Sequence, residues 1–352
     1  MSATSSPAIS VVMAVKNGGH LLAGSVESIL NQTFADFELI IINDGSTDDT
    51  LETLAQFNDP RIQVVTQENQ GLAKSLNRGI ALSRGHFIAR QDHDDLSMPT
   101  RLEKQIHYFD AHPDCGLLGT ASEIWSEHGP TGRSHDHPCD SGVLAFELLF
   151  NNPFVHTSWM FRKEVVDRVG VYTTDLARQP PEDYEYVSRI VRHFDVANLP
   201  ERLVVYREMQ NSMSSLIRPK NLVLNNPFSE RLALISSENI AYAANLKTMN
   251  VDAQNFGALT HGYPKGFSLQ GSCFAVKELL KKATLSIVQR YPKSPIGPLL
   301  SHHLNHLYYQ YAHQAYLQSE GGARWFQWSQ YWIYRIKVGL AVRVHKLKKV
   351  FG

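Results

Sequence analysis

The chain has 352 residues, 43% of them hydrophobic, and its 34 Lys and Arg are balanced by 34 Asp and Glu. That length supports a full core and either two domains or one domain with a large appendage. Zero formal charge gives no reason to expect a nucleic acid as partner of the whole molecule. Cys115, Cys139 and Cys273 are odd in number and lack C-x-x-C spacing, which fits a reducing compartment, the cytoplasm, rather than a disulfide framework or thiolate metal site. The start MSATSSPAIS has no basic flank before an apolar core, and no apolar run approaches roughly 18 residues, so neither a signal peptide nor a membrane span is expected.

Through the first quarter, β-branched runs alternate with helical patterns. ISVVMAV (Ile9 to Val15) leads to GSVESILNQ, FELIIIND (Phe37 to Asp44) to DTLETLAQF, IQVVTQ to LAKSLNRGIAL, and HFIAR closes the series. The repeat predicts βαβ units. The continuous apolar run of Leu39 to Ile42 predicts a mostly parallel sheet with helices on both faces. Right-handed crossovers then place the strand C-termini along one edge, where open α/β sheets bind ligands. Ser46-Thr47-Asp48-Asp49 has the form of a capping box opening the second helix.

After Pro99 the pattern turns to a helix, TRLEKQIHYFDAH, and then to mixed strands in CGLLGTASEIW and HTSWMFRKEVV, separated by a polar loop HGPTGRSHDHPCDSG. A helix follows Gln179-Pro180-Pro181-Glu182-Asp183, and VANLPERLVVYR reads as a last strand. From about Leu216 the strands stop, and the remainder reads as helices.

Three acidic features stand on this frame. Asp44, in Asn43-Asp44-Gly45-Ser46, leaves the second strand before a glycine turn. Such an acid can hydrogen-bond a nucleotide base or ribose, although Asp-Gly-Ser also makes a plain strand-turn-helix connection. No G-x-G-x-x-G follows the first strand, which argues against a nicotinamide or flavin enzyme. Arg90-Gln91-Asp92-His93-Asp94-Asp95 crowds carboxylates at the end of the fourth strand, on the same edge. Asp92 and Asp94 offer the hard oxygens that suit Mg²⁺ or Mn²⁺, which takes its other ligands from water and phosphate, while His93 is a spacer. Glu182-Asp183 opens a helix, as propensity and dipole alone allow, yet a carboxylate facing the cation site can serve as a general base.

The ordered set N-D-G-S-x-D, D-x-D-D and E-D resembles family 2 of the glycosyltransferases, inverting enzymes of the GT-A fold. Supporting stretches include Ser25 to Phe34, Asn69 to Gly79, Pro99-x-Arg101-Leu102 with Glu103-Lys104-Gln105, His156-Thr157-Ser158 and Tyr206-Arg207. The resemblance implies a GT-A catalytic domain over 1–215, with a nucleotide-binding half over about 8–98 and an acceptor half over about 99–215, and a helical region over 216–352. It implies a metal-dependent hexosyl-type transfer, with inversion, from a nucleotide-diphosphate sugar to a saccharide or lipid-linked acceptor in cell-surface polysaccharide synthesis. By the resemblance, Asp44 would contact the base, with Val15 and the Lys16-Asn17 loop beside it. Asp92 would lie near the ribose or a metal-bound water, and Asp94 would bind the cation that bridges the diphosphate. Asp183 would be the catalytic base, and Lys74 or Arg90 would add a positive contact to the diphosphate. A sugar nucleotidyltransferase and a catalytically silent nucleotide-sugar or glycan-binding scaffold are the alternatives.

The chain departs from the family after Tyr206-Arg207. There relatives often carry a histidine, and this chain has Met209, a poor ligand for a hard cation. His156 is read as a substitute ligand or as the cap of a nearby loop. At the far end, aromatic residues from Trp325 to Tyr334 precede Arg335, Lys337, Arg343, Lys346, Lys348 and Lys349. Segment 325–350 suits peripheral contact with an anionic membrane surface, and equally a packed helix with its basic tail in water. His302-His303-x-x-His306, without an acid partner, reads as a surface patch.

Overall fold

The structure is a computed structural model that describes residues 6–209, 227–261, 269 and 271–318, with side chains described through residue 312 in the last helix. The chain divides into two compact units, Met1–Leu222 and Val223–Gly352.

The first unit is built on a nine-stranded sheet in the order β3-β2-β1-β4-β8-β6-β9-β5, with β7 paired to β6. Strands β1 (Ile9–Val15), β2 (Phe37–Asp44), β3 (Ile62–Gln67) and β4 (Phe87–Asp92) are mutually parallel. The crossover helices are α1 (Leu22–Leu30), α2 (Thr50–Leu54) and α3 (Leu72–Leu82). Alternate residues of β1 and β2, among them Val11, Met13, Leu39 and Ile41, pack with Leu22, Val26 and Ile29 of α1 and with Leu102, Ile106 and Phe109 of α4 (Arg101–Ala111). The opposite face carries Val12, Ile40 and Ile42 and is covered by α3, whose Gly79 sits directly against Val12. Both faces are therefore dry, and each fully buried Ile or Leu contributes about 1.5–3 kcal/mol.

Beyond β4 the sheet changes character. Strand β8 (Met160–Arg162) runs antiparallel to β4 and to β6 (Cys115–Ser126), while β9 (Asp195–Arg207) runs parallel to β6 through three register shifts. The short β5 (Leu96–Ser97) pairs antiparallel with β9 and ties the acidic loop after β4 to the far end of the sheet. Helices α5 (Ser141–Glu147), α6 (Lys163–Val169) and α7 (Glu182–Ile190) complete this half.

Two local expectations are corrected. The polar stretch HGPTGRSHDHPCDSG is not simply a loop, because Gly129–His135 forms β7 and hairpins onto β6. Gly129 (φ +102°) supplies the turn, and the β6 backbone accepts a strand whatever its polarity when one face stays in water. The capping box also fails. Helix α2 starts at Thr50, and Ser46 Oγ instead accepts from the Asn17 amide, so the serine joins two loops rather than capping a helix.

The second unit contains α8 (Pro227–Ala243), α9 (Val251–His261), α10 (Cys273–Arg290) and α11 (Ile296–Gln318) among its described residues. Gly257 of α9 lies so close to the Ala233 carbonyl of α8 that a Cβ would clash, which fixes a tight crossing. The Ser272 hydroxyl caps α10 by accepting from the Ala275 amide. His302 and His306 are exposed on α11. No described helix is long and apolar enough to cross a membrane, and segment 325–350 lies outside the described residues.

Candidate active site

The C-terminal edge of the parallel strands gathers most of the expected residues. Register pairs Val15 with Asn43, Ala14 with Asp92, and Asp44 with Gln67, so Val15, Asp44 and Asp92 end neighbouring strands at one level. Asn17, at φ 56°, accepts from the Thr47 amide, its own amide donates to Ser46, and Gly18 and Gly19 donate to Thr50 and Asp48. These bonds lock the loop after β1 to the loop after β2. Lys74 sits exposed in the first turn of α3.

Asp44 is saturated. Its Oδ1 accepts from Gln67 Nε2 and the Gln70 amide, both at 2.8 Å, and its Oδ2 from the Gly71 amide at 2.8 Å. The Asn69 amide nitrogen adds a fourth donor at 3.0 Å when its oxygen faces Lys16 Nζ, 2.9 Å away. Burial raises the carboxyl pKa, but bonds from Gln67, Gln70, Gly71 and Ser75 outweigh it and hold the group below its ordinary value. Gly45 is needed beside it, since its φ is +71° and a Cβ would sit 2.9 Å from the Asn69 nitrogen. Any base N–H reaching Asp44 has to displace one of these four donors.

The cluster after β4 is the opposite case. One carboxylate oxygen each from Asp92, Asp94 and Asp95 lie within 4.8 Å of one another, the one such grouping among the described residues. Asp95 is 1% exposed; its Oδ1 accepts from the Arg207 amide at 2.7 Å, while its Oδ2 has no partner. Burial first, then the charges of Asp92 and Asp94, push Asp95 well above the usual carboxylate range. Burial and the charge of Asp92 raise Asp94 as well. The loop backbone is fixed by Arg207, whose Nη1 donates to the Asp94 carbonyl, and by Ser25, which donates to the Asp92 carbonyl. An orphaned, buried oxygen among clustered hard donors fits Mg²⁺ or Mn²⁺.

Behind the loop lies a polar network. Arg101 is fully buried, and its five N–H groups are all used on neutral acceptors: Gln105, Gln91, Ser97 and the carbonyls of Arg90 and Trp159. Burial, then Arg90, pull its pKa down to about 9, still above neutrality. Gln91, which also bonds the Asp92 and Asp95 carbonyls, thus links the metal-type loop to α4.

Asp183 opens α7 in its first turn. Its Oδ1 accepts from the Tyr184 amide at 2.7 Å and its Oδ2 from Asn152 Nδ2 at 2.8 Å. Burial raises its pKa against the pull of those bonds and of Arg90. Glu182 beside it is pushed up to about 7 by burial and then by the charge of Asp183, and it also feels Asp92. Arg90, 4% exposed on β4, ion-pairs with Asp92 and is not a surface charge. His156 Nε2 lies 2.8 Å from Tyr172 Oη, and its ring packs edge-on to Trp159, so this imidazole is engaged by aromatic neighbours. Met209 follows Glu208, which is tied to Trp125 and Arg133.

Sequence reasoning passed over Asn152, the Arg207 bonds to Asp94 and Asp95, and the burial of Arg90. For Arg90 a signal existed: Arg90 and Asp92, two apart on a strand expected to be covered on both faces, must point the same way.

Known proteins resemble this chain in sequence and in fold. An uncharacterized glycosyltransferase of Haemophilus influenzae is 29% identical over 309 residues, covering 85% of this chain and 92% of the relative. The O-antigen biosynthesis glycosyltransferase WbnJ of Escherichia coli is 35% identical over 207 residues, 56% of this chain and 79% of that protein. The amylovoran biosynthesis glycosyltransferase AmsE of Erwinia amylovora is 34% identical over 186 residues, 52% and 68% respectively. Among solved structures, S. aureus TarS 1–349 in complex with UDP-GlcNAc superposes with a TM-score of 0.56 at 17% identity, covering 88% of this chain and 91% of that one, which shows a shared fold. The family model for glycosyl transferase family 2 matches residues 10–170, the span that carries β1 to β4 and the acidic loop, and with these relatives it establishes that the chain belongs to that family.

Proposed function

We propose that the chain transfers a sugar, with inversion, from a nucleotide-diphosphate donor to a saccharide or lipid-linked acceptor in the building of a cell-surface polysaccharide. The observation that carries this reading is the gathering of Asp92, Asp94 and Asp95 within 4.8 Å of one another beside the buried guanidinium of Arg90, which pairs with Asp92 and whose charge Glu182 and Asp183 also feel. The names of WbnJ and AmsE support the polysaccharide setting, and the donor held by TarS, a protein of the same fold, supports a nucleotide sugar.

In this reading Asp94, with Asp92, holds Mg²⁺ or Mn²⁺, and Asp95 Oδ2 is available to the same site. When bound, the cation neutralises charge on the departing diphosphate. Val15, Asn17 and Asp44 line the base end, where Asp44 acts chiefly by shaping the loop from Gln67 to Gly71. Lys74, exposed beside that loop, meets the phosphates as a mobile charge. Asp183 is the base. Asn152 and the Tyr184 amide aim its carboxylate, which takes the proton from the acceptor hydroxyl as the oxygen attacks the anomeric carbon and the nucleoside diphosphate leaves from the opposite face. The raised pKa of Asp183 makes it a better proton acceptor than an exposed aspartate, while Arg90 and its two donors pull the other way and favour the carboxylate.

The test is a screen of nucleotide sugars with Mg²⁺ or Mn²⁺ against the wild type and Asp94→Ala. Cation-dependent donor binding by the wild type, weakened about 100-fold in Asp94→Ala, is expected from the loss of a charged ligand. Donor binding that ignores both the cation and the substitution would sink the assignment.

A further inference from the structure

Arg90 and Arg101 are both buried arginines beside β4, yet they are wired differently. Arg101 spends all five donors on neutral oxygens, as a structural arginine does. Arg90 spends Nη1 on the Asp92 carboxylate and leaves its Nε without a partner, although only 4% of the residue is exposed. Its placement is set by charge rather than by saturated hydrogen bonding. One oxygen each of the half-buried Asp92 and Asp94 and of the buried Asp95 lie within 4.8 Å of one another, so without a positive group beside them the loop would carry three crowded, uncompensated carboxylates.

We propose that Arg90 is an internal counter-ion of the cation site, a positioning residue that holds Asp92 while the nucleotide is absent and so makes cation binding wait for the diphosphate. This rests on the reading of Asp94 and Asp92 as cation ligands. A guanidinium paired to Asp92 opposes a dication in two ways: it occupies one carboxylate, and it repels positive charge at the neighbouring ones. A diphosphate brings the negative charge that reverses the balance. Cation and nucleotide affinities are thereby coupled, and the coupling is reciprocal.

The experiment titrates Mn²⁺ alone, read by the electron paramagnetic resonance of the free ion, into wild type, Arg90→Met, Arg90→Gln, Arg90→Lys and Asp94→Ala. Each titration is repeated with UDP and with GDP. Removing one buried positive charge is expected to tighten binding of Mn²⁺ alone about tenfold or more in Arg90→Met and to shrink the gain on adding nucleotide. Arg90→Lys returns both values to within a few-fold of wild type. Arg90→Gln, which also removes the charge but keeps hydrogen-bonding groups at this position, tightens binding of Mn²⁺ alone in the same direction and keeps the test open where Arg90→Met does not fold. A purely structural arginine predicts loss or no change. A folded Arg90→Met or Arg90→Gln with unchanged or weaker affinity for Mn²⁺ alone overturns the proposal. Wild type that binds no Mn²⁺ with either nucleotide, and behaves like Asp94→Ala, overturns the cation reading and this proposal with it.

Discussion

Two acidic turns leave adjacent parts of the same sheet edge, and they are built on opposite principles. Asp44 receives four protein donors and sits below its ordinary pKa. Asp94 and Asp95 receive few, keep an orphaned oxygen and sit above theirs. The first turn is finished when the chain folds, and its carboxylate works as a fastener for the loop from Gln67 to Gly71. The second is left short of positive charge, and so is the Glu182-Asp183 pair that shares Arg90 with it. A carboxylate therefore identifies a site for incoming chemistry less by its presence at the ligand-binding edge than by the donors it lacks.

The contrast can be broken in order of effect. Asp183→Asn removes the proton acceptor and keeps one amide oxygen for either the Tyr184 or the Asn152 donor; turnover of the donor is expected to fall about 10³-fold with donor affinity retained, measured by release of the nucleoside diphosphate. Equal turnover would place the base elsewhere.

Next comes pH. Glu182 titrates near 7 in the folded chain against 4.5 as its ordinary value, so the native state binds this proton more tightly between those limits. The cation-free protein should then gain stability as pH falls from 8 to 5, on the order of 3 kcal/mol, visible as a rising Tm that Glu182→Gln flattens. Asp183, Asp94 and Asp95 push in the same direction. Asp44 pushes in the other, because its depressed pKa adds stability that is lost only as pH falls below about 3.8. A Tm that drops steadily from pH 8 to 5 contradicts the contrast.

Smaller again is Asp44→Asn. An amide turns two donors toward donors already there, and thermal unfolding should show a loss of about 1–3 kcal/mol. Smallest is Asp94→Asn, which relieves repulsion and should leave Tm unchanged or raise it by a degree or two, within about 0.5 kcal/mol. If the two asparagine variants lose equal stability, the distinction between a finished and an unfinished turn fails.

The first four strands and their helices were legible because dry parallel strands leave no choice but a continuous apolar run, and the edge that holds Asp44 and Asp92 follows from chain direction alone. The hairpin strand Gly129–His135 was hidden since a strand with a wet face needs no apolar pattern, and its signal, Gly129 and Gly132 at positive φ, also reads as loop. The capping box was misread because Ser46 finds a partner 29 residues away in Asn17, and a local rule cannot see a competing long-range bond. The roles of Asn152 and Arg207 lay equally out of reach: each depends on a contact across 31 or 112 residues. What the residues placed in order, the fold placed in charge balance.

Arg101 has one more implication. A guanidinium gripping α4, β4, the short β5 and the Trp159 carbonyl through five bonds leaves the loop between β4 and β5 few alternative conformations to sample before a donor arrives. The entropic cost of ordering the acidic loop is thus met once, during folding, and is not charged again at each catalytic cycle. Lysine, with three donors on a flexible stem, could keep the charge at this position but not the rigidity.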